Sequence, residues 1–355
     1  MPSGKTGPRT QEPSGAAEHA RWLNLVEEEP LDPDRPICDA HLHLFGDGQR
    51  SSTSSISGHG QYGVAEFLSE RAGHNVVSSV FVETHEQFRA TGPEHLRPVG
   101  ETEFATRQGE LCAAAGGPPM LGIVTFADLS LPLDDLQEVL RAHAAAGNGR
   151  FRGVRQNLAA LPDPRMRAYS PVAEGFMGRP EFRRGLTLLG QEGYSFDASI
   201  YHPQLTELVD LAHAVPDTTI VLNHLATIVT EVEPYTDRDV VLKFWRPAMR
   251  ELAKCGNVVV KLGCVGRSRL GKHGRDERAT PPTSEEIAAL WEPDVHWAIE
   301  CFGPDRCLFE SNFPTDRQWV SYGVLWNSFK RMTAGASEDE LSALFHDTAG
   351  RIYRL

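Results

Sequence analysis

The sequence holds no CxxC pair, no basic excess, no apolar run of membrane length and no GxGxxG behind its first strand-like segment. Its six cysteines, at 38, 112, 255, 264, 301 and 307, stand apart, several in apolar runs such as RCLFES. That spacing suits neither a zinc ribbon nor a disulfide framework, and predicts reduced, buried thiols in a cytoplasmic protein. A spanning helix needs about 20 apolar residues, and the opening residues lack a signal-peptide core, so no membrane partner is expected. Lys and Arg number 35 against 48 Asp and Glu, a formal charge of −13. Nucleic acid is therefore not an expected partner, since it needs a basic footprint. What is left is a small-molecule substrate.

What the sequence does have is length and rhythm. Its 355 residues, 40% hydrophobic and 23% charged, supply a core large enough for one barrel domain. Residues 1–35, rich in Pro, Gly, Glu and Ala, read as a partly disordered N-terminal arm with a short helix around Trp22–Glu28. From residue 36 to 355 short apolar runs alternate with amphipathic stretches. The strand candidates are ICDAHLHL, VVSSVFVET, MLGIVTFAD, FRGVRQN, YSFDASIY, TTIVLNHL, NVVVKLG and RCLFESNF. Between them, segments such as LDDLQEVLRAHAAAG carry apolar residues at helical spacing. Strands alternating with helices pair in parallel, and eight such units predict an α/β fold, the (β/α)8 TIM barrel. An open Rossmann-type sheet would want the missing glycine motif.

A barrel carries its chemistry at the C-terminal ends of its strands. There the sequence places His41 and His43, Glu83 and His85, Asp128, Arg155 and Gln156, Tyr201 and His202, Asn223 and His224, Lys261, and Glu310 with Asn312. Residues two apart on a strand share a side, so His41 and His43 should project together and could hold one divalent metal. His224 is the candidate third ligand, with Asn223 beside it facing outward. Arg155 can grip a substrate carboxylate or lactone oxygen, with Tyr201, His202 and His85 as further substrate contacts. Glu83 could serve as a base, and Lys261 could neutralise Glu310. Segments 46–60, 159–178, 227–238 and 265–282 read as lids, with Arg267 and Arg269 solvated. Trp291, Trp297 and Trp326 would pack either outer helices or a homo-oligomer.

DAHLHLF, GVR, NHLA and LFESNFPTD, in that order, resemble the amidohydrolase-2 family, a group that includes lactonases of pyrone dicarboxylates and of sugars. The resemblance spans residue 36 to the C-terminus. It implies that His41 and His43 form the first-strand dyad, that Arg155 holds substrate and that His224 is the sixth-strand histidine. Asn312 falls where the family's GSDWP motif has its catalytic aspartate; here the segment reads ESNFP. An amide has no basic pKa and cannot replace that aspartate as a base. The expected activity is hydrolysis of a lactone or related cyclic ester, with one divalent metal, zinc by ligand type, weakly held or absent. Alternatives are a decarboxylase or other lyase on the same scaffold, or a barrel that binds a metabolite without catalysis.

Overall fold

A computed structural model describes residues 15–46, 62–161, 163, 172–265 and 278–355. Of the segments read as lids, residues 47–60, 162, 164–171 and 266–277, with Arg267 and Arg269, lie outside the described residues.

Eight strands are present: β1 (Ile37–Leu42), β2 (Val76–Val82), β3 (Met120–Thr125), β4 (Phe151–Asn157), β5 (Ser195–Ser199), β6 (Ile220–Leu222), β7 (Val258–Leu262) and β8 (Cys307–Phe309). They form one parallel sheet in sequence order. Closure comes just past the regular strands: Leu42 bridges Phe313, His43 N donates to Phe313 O at 2.7 Å, and Asn312 N donates to His41 O at 2.9 Å. The seam of the TIM barrel thus runs through the residues that carry chemistry.

The crossovers are α2 (Val64–Glu70), α3 (Val99–Ala114), α4 (Leu133–Ala146), α5 (Pro180–Gln191), α6 (Leu205–Ala214), α7 (Arg238–Leu252) and α8 (Ser284–Phe302); α9 (Tyr322–Met332), α10 (Glu338–Ser342) and α11 (Thr348–Tyr353) follow β8. Caps locate several of these helices. Thr283 and Ser337 open α8 and α10 with reciprocal bonds to Glu286 and Glu340. No described helix is long and apolar enough to cross a membrane.

Strand alternation divides the apolar residues into two layers. Ile37, Phe81, Val154, Phe196, Val260 and Phe309 join the large cluster with the helices. Ala40, Val80, Val124, Val221, Val259 and Leu308 form a smaller cluster that Tyr353 of α11 completes. None of the six cysteines is in a disulfide, and five are buried. Trp291 and Trp326 are buried in their own chain, and Trp297 lies under Arg250.

The helix expected around Trp22–Glu28 lies earlier, as α1 (Gly15–Leu23). From its last turn onward the chain is bound rather than loose. Trp22 Nε1 donates to Arg278 O, and Glu28 accepts from Ser284 N and Asn327 Nδ2.

Candidate functional site

β1 changes parity just before its end. Cys38 and Ala40 belong to the inner cluster, yet His41 also turns inward, across a register shift between Asp39 and Leu42. Asp39 points the other way and accepts from Ser311 Oγ at 2.6 Å, Ser311 N at 2.9 Å and Tyr322 OH at 3.0 Å. Burial pushes its carboxyl up to about 6. This outward tie locks the ends of β8 and β1 together and so fixes the His41–His43 pair.

The two imidazoles meet edge to face, Nε2 to Nε2 at 3.2 Å. His43 Nδ1 donates to Val82 O at 2.8 Å, which leaves its lone pair on Nε2. His41 Nδ1 lies 2.8 Å from Glu310 Oε2, and its Nε2 lies 3.1 Å from Arg155 Nη1. Lys261 Nζ, which only donates, lies 3.1 Å from His41 Nδ1, and this places the ring proton on Nε2, toward the lone pair of His43. Burial, then the charges of Lys261 and Arg155 respectively, holds both rings well below the ordinary imidazole range. Two neutral rings thus link Lys261 to Val82 O through one chain of hydrogen bonds.

β2 and β4 supply a second pair. Glu83 Oε1 accepts from Arg155 Nε, and Glu83 O accepts from Nη2, both at 2.6 Å. Arg155 is thus already gripped on one edge, and its Nη1 side faces His41. His85 Nε2 stands 3.2 Å from Glu83 Oε2, its ring against Phe126. Beneath them Glu101 Oε1 accepts from Thr84 N, Thr84 Oγ1 and Glu86 N at 2.7, 2.8 and 3.1 Å.

Glu310 joins two histidines, for Oε1 lies 2.6 Å from His224 Nδ1. The backbone makes room for it: a Cβ on Gly263 would sit 2.2 Å from Glu310 Cγ, so β7 must end in glycine there. The turn after β6 holds His224, Leu225, Ala226 and Thr227 at φ of +58°, +53°, +61° and +34°. Four left-handed non-glycine residues in succession are strained, and Trp245 pins them by donating to Leu225 O. His224 keeps its side chain 9% exposed, at the mouth.

Asn312, at φ +54°, donates from Nδ2 to Asp316 Oδ1 at 2.8 Å. Its backbone N donates to His41 O at 2.9 Å, which sets it beside the dyad.

The structure gathers His41, His43, Glu83, His85, Arg155, His224, Glu310 and Asn312 into one network. Tyr201 and His202 sit in a separate apolar cluster with Val229 and Tyr235. His202 Nδ1 accepts from Val229 N, and burial lowers the ring to about 4. Two expectations are corrected. Lys261 pairs with Asp197 at 2.8 Å rather than with Glu310, and Asn223 is buried, donating to Asp197 at 3.0 Å, rather than facing outward. The inward parity of β5 puts Asp197 in the barrel, which displaces both. Asp39, Asp197, Glu101 and Asp316 were missed. For Asp197 the alternation in SFDAS was the available signal.

The donors suit a divalent cation. His41, His224 and Glu310 bring one ligand atom each to within 4.8 Å of one another. Two ligands of a tetrahedral zinc with metal–nitrogen bonds of about 2.0–2.1 Å stand about 3.3 Å apart. The 3.2 Å between the two Nε2 atoms matches that edge.

Comparison with known proteins agrees with this geometry. A family model described as Amidohydrolase matches residues 38–355. The chain is 33% identical over 335 residues to a Sinorhizobium fredii (strain NBRC 101917 / NGR234) protein named Uncharacterized protein y4mH, covering 91% of this chain and 99% of that one. It is 28% identical over 210 residues to the L-fucono-1,5-lactonase of Burkholderia multivorans (strain ATCC 17616 / 249), 58% of this chain and 64% of that one. Among solved structures, an amidohydrolase from Burkholderia multivorans with bound zinc aligns at TM-score 0.67 and 24% identity, over 90% of this chain and 100% of that one. That likeness speaks for the fold.

Proposed function

The chain belongs to the amidohydrolase family, and from that premise we propose that it hydrolyses a lactone or related cyclic ester of a small carboxylated or polyhydroxylated molecule. The observation that carries the reading is the Glu310–His224 pair set beside the His41–His43 dyad at the barrel mouth. Similarity to the fuconolactonase supports the substrate class.

Glu310 holds the proton of His224 on Nδ1, so the lone pair sits on Nε2, the form a general base needs. His224 Nε2 takes a proton from water as the water oxygen bonds to the lactone carbonyl carbon. Arg155 Nη1 faces the carbonyl oxygen and stabilises the charge that grows there. The ring C–O bond then breaks, and its oxygen takes the proton back from His224 to give the hydroxy acid. Asn312, an amide, orients water and does not remove its proton. Glu83 fixes Arg155 and, as the second carboxylate of the network, is the other candidate base. A divalent ion, zinc by donor type, held by His41 and His43 with Asn312 as a neutral oxygen donor would supply Lewis acidity and a more acidic water; were His224 Nε2 to join as a third ligand, the base would be Glu83.

The test is a pH-stat screen of sugar lactones and pyrone dicarboxylate lactones, with zinc and with chelator, on wild type and His224→Gln. Turnover in one class, reduced about 10²–10⁴-fold in the variant, is expected. No turnover in either class, or an unimpaired His224→Gln, sinks the reading.

A further inference from the structure

At the end of β3 the position that faces the mouth carries a ring. Val124 belongs to the inner cluster, so Phe126, two residues on, keeps that parity and turns over the mouth. Asp128, the polar residue at this strand end, instead closes its own turn by accepting from Ser130 N at 2.9 Å. Phe126 is only half-buried, as are His85 and Phe88 beside it. Its ring centroid lies 4.4 Å from that of His85 and 6.2 Å from that of Phe88, the two phenyl planes 23° apart. We propose that Phe126, Phe88 and His85 form an aromatic wall of the substrate pocket, which favours lactones with a flat, apolar ring face over lactones with hydroxyls on both faces. The inference rests on the lactone reading of the same mouth and narrows its substrate class.

The wall adjoins the group that faces the carbonyl. His85 Nε2 stands 3.2 Å from Glu83 Oε2, and Glu83 Oε1 accepts from Arg155 Nε at 2.6 Å, so rings and guanidinium are one side chain apart. The turn that carries two of the rings is both strained and seated. His85 and Gln87 hold φ of +60° and +58°, in the left-handed region that costs a non-glycine residue free energy. The same turn rests on the start of α3 so closely that a Cβ at Gly100 would lie 2.4 Å from Gln87 O and 2.7 Å from Arg89 N. Folding alone gains little from a strained turn that leaves its rings partly in water. A flat apolar face laid on them would release that water and add ring stacking. A hydroxyl set against a phenyl face would lose its water and find no acceptor there.

Two lactones test the wall: dihydrocoumarin, fused to an aromatic ring and bare on its faces, and gluconolactone, hydroxylated on both. Phe126→Leu keeps an apolar side chain and removes the ring. On dihydrocoumarin its kcat/KM should fall about two- to tenfold, the size of a lost ring pair, and the loss should lie in KM. The loss on gluconolactone should be smaller, so the ratio between the two substrates shifts. Phe126→Tyr keeps the ring and should retain the wild-type ratio. Phe88→Leu should shift the ratio in the same direction and carries the test if Phe126→Leu does not fold. Equal losses on both lactones, or an unchanged ratio in both leucine variants, overturn the proposal. The lactam analogue of dihydrocoumarin, whose amide resists hydrolysis, separates its failure from that of the lactone reading. Calorimetric binding of the lactam that weakens in Phe126→Leu upholds the wall even where no lactone turns over, and only the proposed activity then falls. Lactone turnover with lactam binding equal in wild type and Phe126→Leu overturns the wall and leaves the activity standing.

Discussion

The barrel holds two buried polar layers built from the same strands, and they are satisfied in opposite ways. In the floor, Asp197 accepts from Lys261 Nζ at 2.8 Å, from Asn223 Nδ2 at 3.0 Å and from Tyr353 OH at 3.0 Å. Donors converge on an acceptor, and the Asp197 carboxylate is satisfied within the chain. At the mouth, His41 and His43 meet Nε2 to Nε2 at 3.2 Å, and the buried Glu310 Oε2 has no hydrogen-bond partner among the described residues. The backbone differs likewise. Of eleven non-glycine residues with positive φ among the described residues, eight follow directly on strand ends: His85, Gln87, His224, Leu225, Ala226, Thr227, Cys264 and Asn312. The floor is arranged to be stable and the mouth to receive something, and strain collects at the second.

The hardest way to break the contrast is at Glu310. Glu310→Gln fits the space above Gly263 but no longer fixes the tautomer of His224. The expected loss in kcat is about 10³–10⁴-fold, as when the carboxylate of a catalytic triad becomes an amide. The melting temperature should move little, and a collapse in stability instead would make Glu310 a floor-type residue. Lys261→Met tests the opposite layer. It strands Asp197, which is fully buried, and should cost about 3–5 kcal/mol in denaturant unfolding. Should Lys261→Met unfold as easily as a surface substitution, the division into a stabilising and a receptive layer fails.

Much of this was legible in the sequence, for physical reasons. β-branched runs such as VVSSVFV and NVVVKLG declare strands, and eight of them alternating with helices leave one closed topology. The ends were misread where chemistry intervenes. TTIVLNHL and RCLFESNF read as full strands, but β6 stops at Leu222 and β8 at Phe309 because His224 and Asn312 take left-handed conformations. Lys261 seemed to belong to Glu310 because nothing local points to Asp197, which meets it only when the barrel folds. Asp316 lies in LFESNFPTD itself, but only the turn after Phe313 brings it back onto Asn312.

A milder probe is pH. Burial lowers His74 to about 4, His143 to about 3 and His202 to about 4. Their folded pKa values lie below the unfolded value, so the stability they contribute is present above about 6.5 and is lost as pH falls toward 3. Each is expected to cost up to about 1.4 kcal/mol per pH unit in that window. Denaturant midpoints between pH 7 and pH 4 should drop, and His143→Gln should flatten the drop. An unchanged slope in that variant removes His143 from the account. All three lie outside the mouth network, but His41 and His43 within it are lowered in the same direction, so acid acts on scaffold and site together.

The smallest effect has the opposite sign and lies directly under the mouth. Glu101 is raised from the usual carboxylate range by burial first and by the Glu83 charge second. A raised folded pKa contributes stability that is full below about 4.5, the ordinary Glu value, and is lost as pH rises through the folded pKa. Glu101→Gln keeps the oxygen that accepts from Thr84 N, Thr84 Oγ1 and Glu86 N, and it removes the proton dependence. Its stability should therefore decline less than that of wild type between pH 6 and pH 9. Because those bonds hold the turn that carries Glu83 and His85, kcat/KM of Glu101→Gln should stay near wild type. Glu101→Leu, which loses the acceptor, should lower it. If both variants lose activity equally, the Glu101 charge acts on Glu83 directly, and the mouth reaches one layer deeper than the contrast drawn above.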